Sequence, residues 1–148
     1  MGYRNVVVGT DGSESAEGAV RHAAALAKAF GARLTVVTAY QNHPDETARL
    51  QADAPDDIRW MLTDANSAEE KANQGKKLAR ELGLDNVRVR VGGGDPAEQL
   101  IETAEDTGAD LIVVGSKGMT GAKRFLLGSV PNKISHHAPC GVLIIRTS

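Results

Sequence analysis

The chain has 148 residues, 41% of them hydrophobic and 24% charged, and a formal net charge of −2. A length near 150 residues suffices for one domain that buries roughly 68–70% of its unfolded surface without a disulfide or metal staple, and 17 basic against 19 acidic residues exclude a general nucleic-acid binder. No apolar run approaches the roughly 18 residues of a membrane span, and a single cysteine, Cys140, with no leader-like apolar stretch after the N-terminus, reads as a cytoplasmic, reduced chain.

Asn5-Val6-Val7-Val8-Gly9-Thr10 is a short β-branched run of the kind that is buried on both faces of a parallel sheet. It ends at Asp11-Gly12-Ser13, where Ser13 is placed to cap a helix. Ala16, Ala19, Val20, Ala23, Ala27 and Phe30 recur behind it at helical spacing, up to Gly31. The mostly alanine face predicts a helix lying close to a sheet. Leu34 to Ala39 is the second strand, so residues 5–39 form a βαβ unit. Residues 41–66 lose this rhythm: Pro44, Pro55 and an acidic run interrupt it, and the segment reads as a variable insertion in which Trp60 tacks the loop to the core.

A second helix is expected over about Ser67 to Leu82, with Ala68, Ala72, Ala79 and Leu82 on its buried face and Gly83 beyond its end. The alternating Val87-Arg88-Val89-Arg90-Val91 predicts an edge strand with one wet face. Asp95-Pro96-Ala97-Glu98 has the pattern of a helix start, with Asp95 as cap and Glu98 at the capping-box position. Leu100, Ile101 and Ala104 give that helix its apolar face before Gly108. Asp110 to Gly115 and Val142 to Ile145 are further buried strands. Strands alternating with helices predict an α/β fold, an open doubly wound five-stranded parallel sheet of Rossmann type with helices on both faces, filling residues 1–148 as one domain.

In such sheets a ligand binds beyond the carboxyl ends of the strands, where the strand order reverses. The residues that matter are therefore those just after Val8, Val37 and Val114, among them Gly9, Thr10 and Asp11. After Val114 the chain reads Gly115-Ser116-Lys117-Gly118, then, after nine intervening residues, Gly128-Ser129-Val130. Glycines permit backbone N–H groups to converge on an anion, and Ser129 stands where a helix should start, with Pro131 tolerated in its first turn. Lys117, Lys123 and Arg124 supply positive charge to the same loop. A plain connector needs one or two glycines rather than four, which favours phosphate binding. The loop lacks the Gly-Lys-Ser/Thr of a Walker A motif, and no G-x-G-x-x-G follows the first strand. Asp11 suits either a ribose or the capping of its own turn. Ala39 and Tyr40, ending the second strand, suit a planar base with their small side chain and backbone amides.

The valine strand ending in Gly9-Thr10-Asp11-Gly12, the Asp110-Leu111-Ile112-Val113-Val114-Gly115-Ser116-Lys117-Gly118 segment, the G-x2-G-x9-G-S loop and the Ala138-to-Arg146 ending resemble the universal stress protein family. The resemblance spans nearly the whole chain except residues 41–66, and the loop spacing is similar to that of the ATP-binding subgroup. It implies a sheet of strand order 3-2-1-4-5, a homodimer formed through the C-terminal strand, and ATP, with or without Mg2+, as ligand. Asp11 would then meet the ribose, Ala39 the adenine, and Gly115, Gly118, Gly128, Ser129 and Val130 the phosphates. Gly141 departs from the proline common there in the family, at the dimer edge.

Cyclic AMP or AMP is the alternative ligand, since Gly128-Ser129-Val130-Pro131 is similar to members that hold cyclic AMP; the basic loop tilts the reading toward a triphosphate. The resemblance implies a nucleotide-dependent stress-response or regulatory role with a protein partner. No catalytic base or metal ligand is identified, so at most slow ATP hydrolysis is expected. His136 and His137 read as residues of a helix C-terminus, and Cys140 as an inert core thiol.

Overall fold

The β-branched runs fold as the interior of a parallel sheet, in which both faces of each strand are covered. In the computed structural model, residues 2–40, 64–116 and 129–146 are described. The chain runs β1 (Asn5–Gly9), α1 (Glu14–Phe30), β2 (Arg33–Tyr40), α2 (Asp64–Glu81), β3 (Val87–Gly93), α3 (Pro96–Thr107), β4 (Leu111–Gly115), α4 (Ser129–His137) and β5 (Gly141–Ile145). All neighbouring strands pair in parallel, in the order β3-β2-β1-β4-β5, as expected for a doubly wound sheet. The expected insertion, 41–66, falls outside the described residues up to position 63.

Period-two alternation divides the strand side chains between two cores. Val6, Val8, Leu34, Val36, Leu111 and Val113 face one layer with Ala19, Ala23 and Ala27 of α1 and Ala79 of α2. Val7, Val37, Ile112 and Val114 face the other with Leu100 and Ala104 of α3 and Ile134 of α4. Because the α1 contacts are alanines with no exposed surface, the helix lies directly on the sheet.

Local signals set the helix ends. Ser13 Oγ accepts from the Ala16 N–H at 3.2 Å, and Gly31 closes α1 at φ 66°. Asp95 accepts from the Glu98 N–H at 3.0 Å and Gly108 closes α3 at φ 67°. The capping box is not reciprocal, because Lys133 Nζ of α4 takes the Glu98 carboxylate at 3.3 Å and Asp95 at 3.2 Å. These two hydrogen bonds raise the lysine's pKa and tie the start of α3 to α4.

Three expectations change in the folded chain. Phe30 is half exposed, resting edge-on against Tyr3 at 5.4 Å, because the last turn of α1 runs past the start of β1. Leu82 lies beyond the end of α2 and is exposed, and Leu84 takes the buried place. The wet face of the β3 edge is partly covered: Arg90 pairs with Asp106 at 2.8 Å and Glu102 at 3.6 Å on α3.

Asp110 has a further role that its sequence pattern hides. Its carboxylate accepts from the backbone N–H groups of Arg4 at 2.9 Å and Asn5 at 3.3 Å, and its own N–H donates to Asn5 O at 3.0 Å, pinning the start of β1 to β4. Asp110→Ala is expected to cost about 1–3 kcal/mol by removing two hydrogen bonds to a charged acceptor. Urea unfolding should show the midpoint falling with an unchanged m-value.

Candidate functional site

The strand order brings the carboxyl ends of β1 and β4 together while their chains leave in opposite directions. From β1 the chain turns to α1 on one face; α4, which follows β4, packs on the other face. In this architecture the reversal of strand order leaves a crevice at that end of the sheet, the place where ligands bind.

One wall is a rigid ledge. Gly9 is buried and paired opposite Val37. Thr10 is 2% exposed, and each of its polar groups has a partner. Its N–H donates to Val37 O at 2.9 Å, its carbonyl accepts from Thr38 Oγ1 at 2.9 Å, and its Oγ1 accepts from the Gly12 N–H at 3.1 Å. Asp11 follows, half-buried, with Oδ1 accepting from the Ser13 N–H at 2.9 Å. The turn-capping role of Asp11 is therefore realised, and it engages one carboxylate oxygen. Its other oxygen has no protein partner among the described residues. Gly12 completes the turn at φ 81°, a conformation that favours glycine.

At the end of β2, Ala39 is half-buried and pairs opposite Gly92. Tyr40 is less open than the sequence suggests. Its carbonyl accepts from the Gly94 N–H at 2.8 Å, and its ring covers Gly93, where an added Cβ would stand 3.0 Å from the ring carbons. Gln99 Nε2 donates to Gly93 O at 3.0 Å and holds that rim down. The half-buried Ala39 is thus the small residue at this end of β2, next to an engaged Tyr40.

On the far wall, Gly115 ends β4 half-buried, and the Ser116 N–H donates to Ile145 O at 2.7 Å. Ser129 begins α4 and Pro131 falls in its first turn, as the loop pattern anticipates. Val130 is 3% exposed and packs in the second core, so its side chain faces away from the crevice and only its backbone N–H is available to an anion. The opening N–H groups of a helix have no partner within it and carry its positive dipole end. Lys117, Gly118, Lys123, Arg124 and Gly128 lie outside the described residues.

Two residues that contribute to the ledge were invisible in the pattern. Thr38 looks like any β-branched strand residue, and only the pairing of β2 with β1 reveals that its hydroxyl serves Thr10. Gly75 is a glycine inside a helix, a local anomaly that marks close packing. A Cβ there would stand 2.9 Å from Val36 Cγ1 and 3.6 Å from Thr10 Cγ2, so α2 touches the sheet directly beneath the crevice.

His136 and His137 are exposed in the last turn of α4, 6.3 Å apart, at the opposite end of that helix from Ser129. Cys140 is half-buried against the second core, and burial, then the Asp110 charge, push its thiol pKa up. That disfavours the nucleophilic thiolate. Among the described residues no His, Cys, Asp and Glu side chains gather as a metal-holding group, and no helix is long and apolar enough to cross a membrane.

Residues 2–146 match the universal stress protein family. A Staphylococcus epidermidis relative carrying the same family name is 33% identical over 148 residues, covering 99% of this chain and 86% of the relative. The crystal structure of a universal stress protein in complex with cAMP is 31% identical, with a TM-score of 0.74 and full coverage of both chains. A Mycobacterium tuberculosis protein of solved structure is 34% identical, with a TM-score of 0.61 over 100% of this chain and 98% of that one. The match over nearly the whole length, the strand order and the crevice together establish that the chain belongs to the universal stress protein family.

Proposed function

We propose that the protein binds an adenine nucleotide, ATP in the first instance, across the crevice between β1 and β4, and acts as a nucleotide-dependent regulatory protein of the stress response. The observation that carries this reading is the pairing of a rigid, hydrogen-bonded ledge at Gly9, Thr10 and Asp11 with the start of α4 at Ser129 across a strand-order reversal. Asp11 has a carboxylate oxygen left over from its turn, suited to ribose hydroxyls. Ala39 leaves room for the base. Gly115, Gly118, Gly128 and the backbone N–H groups of Ser129 and Val130 receive the phosphates, with Lys117 and Arg124 neutralising them.

A second reading, cyclic AMP, is favoured by the solved relative that is a complex with cAMP. Three basic residues in the loop, Lys117, Lys123 and Arg124, favour a triphosphate, with or without Mg2+. In this reading the nucleotide is bound and hydrolysed at most slowly, and product analysis reads the turnover. In this reading nucleotide occupancy is signalled to a protein partner by a homodimer formed along β5, an edge strand of half-buried Val142, Leu143 and Ile144.

Calorimetric titration of nucleotide-stripped protein with MgATP and separately with cyclic AMP, followed by product analysis, tests the proposal. Micromolar ATP binding with little ADP formed is the expected result. Preference for cyclic AMP transfers the assignment to the second ligand, and binding of neither overturns the site.

A further inference from the structure

We propose that Lys71 of α2 is a further ligand-binding residue, placing a cation beside the Asp11 turn at the ribose end of the crevice. This rests on the nucleotide reading above and deepens it. Helices in a parallel sheet run antiparallel to the strands, so the first turns of α2 stand at the same end as the crevice. Two close approaches then fix where Lys71 lies. Gly75 lets α2 settle onto Val36 and Thr10, and one helical turn earlier the Lys71 stem lies across Gly12. A Cβ on Gly12 would stand 2.8 Å from Lys71 Cγ, 3.3 Å from Cδ and 3.5 Å from Cβ.

Gly12 is thus glycine for two reasons: its φ of 81° and the lysine lying on it. Lys71 is half-buried, and its stem runs beside the turn that holds Asp11 and Gly12. Lys71 makes no hydrogen bond or ion pair among the described residues. A lysine usually extends its charged head into water. Here the stem is held on the backbone of the very turn that presents Asp11. A stem packed on that turn has fewer rotamers to lose when its charge meets a ligand, which lowers the cost of using it. Asp11 and Lys71 therefore bring an acceptor and a cationic donor to the same turn, a combination suited to a ribose that carries a phosphate close by.

The test is the affinity of wild type, Lys71→Met and Lys71→Arg for adenosine, cyclic AMP and ATP, with thermal unfolding of each variant in parallel. Methionine keeps a straight apolar stem over Gly12 and removes only the charge. Lys71→Met is expected to lose roughly tenfold in affinity for both charged nucleotides, the weight of one charge-assisted hydrogen bond. Its adenosine affinity and unfolding temperature should stay close to wild type, and Lys71→Arg should recover most of the loss. Added salt should weaken nucleotide binding less steeply in Lys71→Met than in wild type. Wild-type binding with unchanged Lys71→Met affinities overturns the role of the lysine alone. An equal loss for adenosine overturns it too, reducing Lys71 to packing. Failure of wild type to bind any of the three overturns the nucleotide site and this proposal with it.

Discussion

Gly75→Leu is expected to lower the unfolding temperature by about 6–12 °C, whereas Gly75→Ala should change it little. At this position the helix α2 lies so close to β2 that even a single Cβ would come within 2.9 Å of Val36 Cγ1. Alanine brings two opposing effects. A helix interior gains roughly 1 kcal/mol on replacing glycine by alanine, while forcing an extra methyl into a packed core costs about 1–3 kcal/mol. Leucine adds three more carbons with no space to receive them, at about 3 kcal/mol or more, and each kcal/mol moves the midpoint roughly 2–4 °C at this chain length. Thermal unfolding followed by far-UV circular dichroism measures the difference. A wild-type midpoint in Gly75→Leu would mean that α2 does not rest on the sheet here. The substitution should also weaken nucleotide binding in whatever fraction stays folded, because the atoms it displaces include Thr10, the base of the ledge.

Gly118→Ala combined with Gly128→Ala is expected to abolish nucleotide binding, a loss of at least about a hundredfold if each new Cβ removes interactions worth roughly 1.5–3 kcal/mol with a charged group. The physical ground is close approach: phosphate oxygens reach backbone N–H groups only where no Cβ intervenes. Both positions fall in sequence between β4 and α4 rather than within a strand or helix, so the fold should survive. Titration with ATP and cyclic AMP reads the effect, with circular dichroism confirming the folded state. Retained affinity in a folded double variant would remove the loop from the site.

The two outcomes separate what holds the sheet from what the crevice binds. Gly75 acts through packing and moves stability first; Gly118 and Gly128, in the proposed site, would act through access to an anion. Lys71 stands between them, since its stem packs on Gly12 while its charge is offered to the ligand.

Much of this architecture is legible in the sequence because it depends on local rules. Short β-branched runs bounded by turn residues favour strands covered on both faces, and β1, β2 and β4 are so covered. Ser13 and Asp95 cap α1 and α3, and Gly31 and Gly108 end them, since each of those effects reaches no further than one helical turn. From the alternation of strands with small-residue helices follow the doubly wound sheet and the end of it at which a ligand binds. Gly9 to Asp11, Ala39, Gly115 and Ser129, singled out in this way, stand at the ends of β1, β2 and β4 and at the start of α4.

Tertiary structure decided the features that depend on residues far apart in the chain. Phe30 and Leu82 carry the right periodicity and are nonetheless exposed, because burial depends on what the sheet places opposite them. Val130 reads as part of a phosphate loop, yet its side chain belongs to the core. The Thr38 hydroxyl serves Thr10, Asp110 secures the start of β1, and Lys71 lies across Gly12, three contacts separated by 28, about 105 and 59 positions. A propensity or a capping motif acts over a few residues, so the sequence by itself determined the elements and the place of the crevice. Which side chains line it was decided by the pairing of strands and the seating of α2, which bring distant residues within hydrogen-bond and van der Waals reach.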